Sequence, residues 1–502
     1  MEAPQPRASL VFQGMEVDPR QQHCRGSRLA QGLRAMGLQP GDVVAVHLRN
    51  GLQYADVVHA CRIGGVAYCP LNWHFTAQEI NFIIRDSGAK ALITCQPLLD
   101  GLKAALDNTI PWLIVDADAK AEDRDYERWL ARQSLYSGPF VSPRGHIAYT
   151  SGTTGRPKGV IRSAVPIEEL PKRQATNRRL VEMAYGLREG ARTLLTAPIY
   201  HSAPSLYFQN ALMLSDLVVL EPRFDPEVFL RLVQDYRIDT AYMVPIMYVR
   251  LLRLPRAVRE KYDLSSLRFI ASTGAPCAPD VKKAMIEWLG PVINETYASS
   301  EAGLVTLIDS QDALTHPGSA GRPLLDARVR IFDKQGAPLP AGEIGLIYVR
   351  QPAYTDFTYK GNDEARQKID REGLVTLGDM GYLDKEGFLY VCDRDSDMVI
   401  SGGVNIYPAE VEHELLKHPS VSDCAVLGIP DAEYGEKLHA IVEAHDASPA
   451  LAHELRAWLK ECLAAYKVPS GIEFHPLPRD DNGKIAKRKL RDQFWGMQQR
   501  KV

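Results

Sequence analysis

Seven short, almost wholly apolar runs recur along the first three-quarters of the chain: VVAVHL (43–48), ALIT (91–94), WLIVD (112–116), LLTAP (194–198), DLVVLE (216–221), TAYMVP (240–245) and LRFIAST (267–273). A strand with one wet face alternates apolar and polar residues, whereas a run apolar throughout belongs to a strand covered on both faces. Helix-like stretches lie between several of them, among them Pro226–Asp235 and Pro279–Leu289. Strand and helix in repetition predict parallel sheets, because a parallel pair needs the long crossover that a helix supplies. The expected fold class is α/β, with a large N-terminal domain of parallel-rich sheets covered by helices.

Two regions break the alternation. Residues 318–350 are richer in Gly and Pro and end in IGLIYVR, which predicts a small β-subdomain. After DRDSDMVISGG (393–403) a compact α+β pattern follows: a helix from Pro408, strands SDCAVLGI and LHAIVEA, a helix over 449–464, and a basic tail. Ser448 is the expected N-cap of that last helix, with Pro449 at its first position. A chain of 502 residues exceeds what one hydrophobic core serves. The expected division is 1–394 for the core domain, 395–397 for a hinge and 398–502 for a small mobile α+β lid.

Net charge is −3, which argues against a dedicated nucleic-acid binder needing a strongly basic face. No run approaches the roughly 18–20 apolar residues of a membrane span. The N-terminal MEAPQPRASLVFQG lacks the basic start and apolar stretch of a secretory leader. Eight scattered cysteines without a CxxC pair fit reduced thiols better than disulfides or zinc. A cytoplasmic location is expected.

The sharpest local feature is IAYTSGTTGRPKGV (147–160). It departs from the Walker pattern, since Pro157 precedes Lys158 and Gly159 follows it. A Walker loop also feeds a helix, whereas Pro157 disfavours helical geometry at Arg156. The residues predict instead a glycine-hinged loop between extended segments. Hydroxyls at Thr150, Ser151, Thr153 and Thr154, the backbone around Gly152 and a mobile Lys158 suit a polyphosphate.

YTSGTTGRPKGV closely resembles the signature loop of the adenylate-forming superfamily, which holds acyl-CoA synthetases, peptide-synthetase adenylation domains and beetle luciferases. Four further stretches resemble its other motifs in the same order: YASSE (297–301), LGDMGYLDKEGFLYVCDR (377–394), SGGVNIYPAEVE (401–412) and DNGKIAKRKL (481–490). The resemblance covers nearly the whole chain. It implies ATP-dependent activation of a carboxylic acid to an acyl-adenylate, then transfer of the acyl group to a second nucleophile.

The same resemblance implies the site residues. Glu301 matches the Mg²⁺ ligand, a role suited to a cation that takes one or two carboxylates beside phosphate oxygens. Ser300 would bond the α-phosphate, and Tyr297 would offer a flat face to adenine. Gly274, Ala275 and Pro276 match the segment lining the adenine and acyl sites. Asp379 would accept both ribose hydroxyls, with Arg394 beside it. Lys484, projected by the turn Asp480-Asp481-Asn482-Gly483, matches the lysine that bridges the attacking carboxylate and the α-phosphate. Lys487, Arg488 and Lys489 read as surface charge. His201 in APIYHSAP matches a residue near the acyl pocket and the thiol channel, and Ser396 falls at the hinge.

The expected acyl pocket draws on His201, Tyr207, Val244, Ser272, Ala298 and Gly303, without an acid to hold a substrate ammonium. This favours a hydrophobic acid: aromatic, polycyclic or fatty. CoA thiol is the expected acceptor, and Gly402-Gly403 would admit a slender pantetheine arm. The alternative is an amine, as in amide-bond synthetases; a nucleotide-binding scaffold without turnover is a third reading. The chain departs from the common pattern at Ser396, usually Asp or Lys, at Ala298, often Gly, and at Leu377, often Thr.

Overall fold

The computed structural model describes residues 5–100, 106, 109–117, 124–150, 157–479, 484, 485 and 487–495. Two parallel sheets form the body. The larger runs Ile293–Glu295, Phe269–Ser272, Thr240–Met243, Arg192–Leu195, Leu217–Leu220, Ser9–Phe12 and Met15–Val17 in spatial order, antiparallel only at the Met15–Val17 edge. The second orders Ala67–Pro70, Val43–His47, Ala89–Cys95 and Trp112–Val115, all parallel. The intervening helices form for local reasons. Pro226–Asp235 starts on the Asp225 carboxylate, which accepts from the Val228 amide at 2.9 Å, and it buries Phe229, Leu230, Leu232 and Val233.

Several apolar runs outlast their strands. LLTAP leaves the sheet after Leu195, TAYMVP after Met243 and LRFIAST after Ser272. These neighbours, with Ile293–Glu295, are parallel, so their carboxyl ends lie side by side. In α/β sheets such ends are where ligands bind. His201, Val244, Gly274 and Tyr297 all follow these exits.

The β-subdomain is larger than the Gly/Pro content of 318–350 predicts. Antiparallel strands Arg328–Phe332, Gly345–Arg350, Leu374–Leu383 and Leu389–Arg394 build it, so it continues to the proposed hinge. The Asp379 and Arg394 motifs are thereby cross-strand partners.

The small domain sheet contains Val399–Ser401, Val404–Ile406, Val421–Asp431, Gly435–Ala444 and Gly471–Phe474. Its core, including Val411, Leu415, Val426, Val442, Leu455 and Leu459, is its own. Ser448 accepts from the Leu451 amide at 3.1 Å to start helix Pro449–Cys462. The basic tail is a helix, Lys487–Trp495, and Lys487 corrects the surface reading. Its ammonium sits 2.7 Å from Glu412 Oε1, with both side chains largely buried, and Asp393 and Asp397 hold it further toward the charged form. The acids lie far away in sequence, which hid the pairing. No cysteine is paired, and no helix among the described residues is long and apolar enough to cross a membrane.

Candidate active site

The signature loop joins strands Ala148–Thr150 and Lys158–Arg162, antiparallel with Thr150 opposite Lys158. Extended segments therefore flank it, as Pro157 requires. Ser151, Gly152, Thr153 and Thr154 lie outside the described residues. Lys158 Nζ stands 5.1 Å from the centroid of the Tyr359 ring, which leaves the cation on an aromatic face.

A second hairpin, Ala298–Ser299 with Gly303–Leu304, carries Ser300 and Glu301 on its turn, fastened by the Ala302 amide donating to Ser299 Oγ at 2.8 Å. Glu301 is buried, and its Oε1 accepts from Tyr359 at 3.1 Å and from Thr150 at 3.4 Å. Burial raises its carboxyl above the usual range. Among the described residues no cation pairs with it, and none form a group of three metal-binding side chains. One desolvated carboxylate beside Thr150, where the signature loop begins, fits a Mg²⁺ ion that would take its remaining oxygens from phosphate groups and water.

Arg162 was not singled out in the sequence. Its guanidinium, partly buried, donates to the carbonyls of Ser300, Glu301 and Thr355, so it fixes the turn that carries Glu301. Nothing in GVIRS distinguishes this arginine from an exposed one. Lys282 and Glu295 also escaped notice: they form a buried pair at 2.9 Å, tying helix Pro279–Leu289 to the strand that leads into Tyr297.

Tyr297 donates from its hydroxyl to Asp379 Oδ2, and Arg394 Nε faces Oδ1 of the same carboxylate. Arg394 is about half exposed, so its attraction is screened and contributes little by itself.

Gly274 has φ of +96°, a conformation that favours glycine. A Cβ there would meet Val244 Cγ1 at 3.8 Å and Lys484 Cε at 3.9 Å. The lysine stem thus reaches from the small domain to the segment holding Ala275 and Pro276. His201, at the N-cap of helix Ser202–Leu214, is half-buried; desolvation first, then the Lys484 charge, lowers its pKa well below the usual value. The small domain is also fastened by Arg253 donating to the Ser422 carbonyl at 2.8 Å.

Lys484, His201, Gly274 and Val244 are therefore gathered on one side of the site. Glu301, Thr150 and Lys158 form a second group, joined through Tyr359, and Tyr297, Asp379 and Arg394 a third. Ser272 is buried at its strand end, and Ala298 packs half-buried against the main core. Gly303 is required by close approach: a Cβ would fall 2.2 Å from the Tyr354 ring. Tyr207 lies in a buried tyrosine cluster, its ring 5.5 Å from those of Tyr185 and Tyr242, with its hydroxyl donating to the Thr240 carbonyl. Ser396 lies in the turn after Arg394.

The chain matches the AMP-binding enzyme family over residues 2–356 and the AMP-binding enzyme C-terminal domain over 410–484. A feruloyl-CoA synthase of Amycolatopsis sp is 35% identical over 476 residues, covering 94% of this chain and 92% of that protein. The amide bond synthetase McbA from Marinactinospora thermotolerans superposes with a TM-score of 0.84 at 27% identity, over 98% of this chain and 97% of that one. An o-succinylbenzoate CoA synthetase from Bacillus subtilis, in complex with its acyl-adenylate, superposes with a TM-score of 0.81 at 27% identity, over 99% and 97%.

Proposed function

The chain belongs to the AMP-binding enzyme family of adenylate-forming ligases, and from that premise we propose that it activates a hydrophobic, foremost an aromatic, carboxylic acid and passes the acyl group to CoA. The supporting observation is the Lys484 stem against Gly274, which sets a cation of the small domain beside the strand ends of the large one. The similarity to a feruloyl-CoA synthase supports an aromatic acid. So does Tyr185, whose buried hydroxyl has no hydrogen-bond partner among the described residues and stands in the tyrosine cluster beside Tyr207.

In the first step the acid's carboxylate attacks the α-phosphorus of ATP, pyrophosphate leaves, and a mixed anhydride with AMP forms. Lys484 offsets the negative charge that gathers between carboxylate and α-phosphate oxygens. Thr150, Ser151, Gly152, Thr153, Thr154 and Lys158 wrap the β- and γ-phosphates, and Ser300 bonds the α-phosphate. Asp379 and Arg394 hold the ribose; Tyr297, Gly274, Ala275 and Pro276 flank the adenine. Glu301 holds Mg²⁺, which neutralises the phosphate oxygens when bound.

In the second step the thiol sulfur attacks the acyl carbon, AMP leaves, and the thiol proton is released. His201, neutral and beside Lys484, borders the path of the nucleophile. We take residues 395–397 as the hinge between the two steps, and the unpaired thiols support a cytoplasmic location.

A second reading, transfer to an amine, is supported by the likeness to an amide bond synthetase. The test is acid-dependent exchange of labelled pyrophosphate into ATP over aromatic and fatty acids, followed by mass spectrometry after adding CoA or amines. Acyl-CoA as product supports the first reading, amide alone the second; no exchange with any acid overturns both.

A further inference from the structure

Tyr359 touches two opposite charges at once. Its hydroxyl donates to Glu301 Oε1 at 3.1 Å, and its ring centroid lies 5.1 Å from Lys158 Nζ. The strand that carries it, Phe357–Tyr359, pairs antiparallel with Lys158–Arg162, with Tyr359 opposite Val160, and the Lys360 amide donates to the Gly159 carbonyl at 2.8 Å. A strand's period of two puts Phe357 on the same face, and the two rings meet edge to face at 5.5 Å. Arg366 lies over the Phe357 ring, and its Nε donates to the Phe357 carbonyl at 3.2 Å. Tyr359 itself is buried and packs with Val160, Val305 and Val349, so the ring is held in place. A tyrosine in such a cluster would be core alone if its hydroxyl met neutral groups; this one meets a carboxylate.

Glu301 is buried and Lys158 half-buried, so their charges attract more strongly than they would in water. Closed on each other, they would occupy the oxygen that a cation takes and the donors that a phosphate takes. They are not closed on each other. The carboxylate accepts from Tyr359 and Thr150, the ammonium rests on the aromatic face, and no ion pair joins the two among the described residues. The hydroxyl gives the carboxylate a donor without a compensating charge. The ring gives the ammonium an attraction that fixes none of its N–H groups in one direction, so its donors stay available.

We infer that Tyr359 is a positioning residue that keeps Glu301 and Lys158 from pairing with each other: its hydroxyl holds the carboxylate for the cation, and its ring holds the ammonium for the phosphates. The inference rests on the nucleotide-binding reading above. ATP and Mg²⁺ then meet charges already separated, and no ion pair has to break before they bind.

Titration calorimetry of ATP binding to the full chain, without any acid and with or without Mg²⁺, tests this apart from turnover. Tyr359→Leu removes ring and hydroxyl together, so the two charges close on each other and ATP affinity without Mg²⁺ falls several-fold. Glu301→Gln removes the anion that would trap the lysine. It should therefore raise Mg²⁺-free affinity about threefold or more further in the Tyr359→Leu background than in the wild type. Equal gains in both backgrounds would overturn the inference. Tyr359→Phe keeps the ring, so its Mg²⁺-free affinity should match the wild type, while the gain on adding Mg²⁺ shrinks about 2- to 10-fold. An undiminished gain would overturn the inference too, and this variant decides alone should melting curves show that Tyr359→Leu does not fold. A lowered melting temperature with every affinity unchanged would make Tyr359 core only. Wild-type protein that binds no ATP would refute the nucleotide reading itself, whereas normal ATP binding with equal gains refutes the role of Tyr359 alone.

Discussion

The hydroxyl of Tyr297 donates to Asp379 Oδ2 at 2.6 Å, while Arg394 Nε stands 3.4 Å from Oδ1. Burial and the facing carboxylate push the phenol well above its usual range, so it remains a donor at every working pH. Tyr297→Phe removes one bond that orients Asp379 while keeping the ring. A hydrogen bond of about 0.5–1.5 kcal/mol predicts a KM for ATP raised about 2- to 10-fold, read from exchange rates at saturating acid. An unchanged KM would separate Asp379 from nucleotide binding.

Gly274→Ala tests the close approach of Lys484. The left-handed backbone costs an L-residue about 1–2 kcal/mol, and the added methyl enters the space between Val244 and the lysine stem. Adenylation should fall more than tenfold while the melting temperature drops by only about 2–4 °C. Calorimetry alongside exchange assays separates the two effects; parallel losses would reduce the site effect to instability.

Arg162→Met keeps the aliphatic bulk and removes the donors that hold the carbonyls of Ser300, Glu301 and Thr355. Buried carbonyls left unpaired cost about 1–3 kcal/mol each, so the melting temperature should fall. Because Glu301 loses its aim, the Mg²⁺ concentration for half-maximal exchange should also rise several-fold. A stability loss without a shift in Mg²⁺ demand would leave Arg162 purely structural.

Glu301 predicts a pH signature. Its folded carboxyl titrates above the ordinary glutamate value, so between those two values the folded protein binds more protons than the unfolded chain. Stability without Mg²⁺ should therefore decline as pH rises through that window, and added Mg²⁺ should restore it. Glu301→Gln should melt higher than wild type in Mg²⁺-free buffer at neutral pH and lose the Mg²⁺ response. The same melting temperature for both proteins across the window would contradict the burial of this carboxylate without an ion-pair partner among the described residues.

What the sequence disclosed follows from the range of the interactions. Uninterrupted apolar runs declare two-sided burial locally, so the parallel sheets were legible as a class and the helix Pro226–Asp235 to the residue, while strand ends were not. Pro157 likewise declared a loop between extended segments. Long-range pairings were silent. Lys487 sits in KIAKRKL like any solvated base, and only the fold brings Glu412 against it. Arg162 earns its burial from carbonyls on other elements, which carry no sequence signature. The pairing of Asp379 with Arg394 depends on strand register, interrupted by an irregularity between Met380 and Gly381 that no local pattern announces.

Lys484→Ala, assayed for acid-dependent pyrophosphate exchange with ATP affinity followed by titration calorimetry, reads the decisive charge. Removing one preorganised group at a developing anion costs about 10²- to 10³-fold. The predicted result is a loss of exchange of that size with ATP binding retained. Exchange at the wild-type rate would contradict the placement of this ammonium at the reacting phosphate.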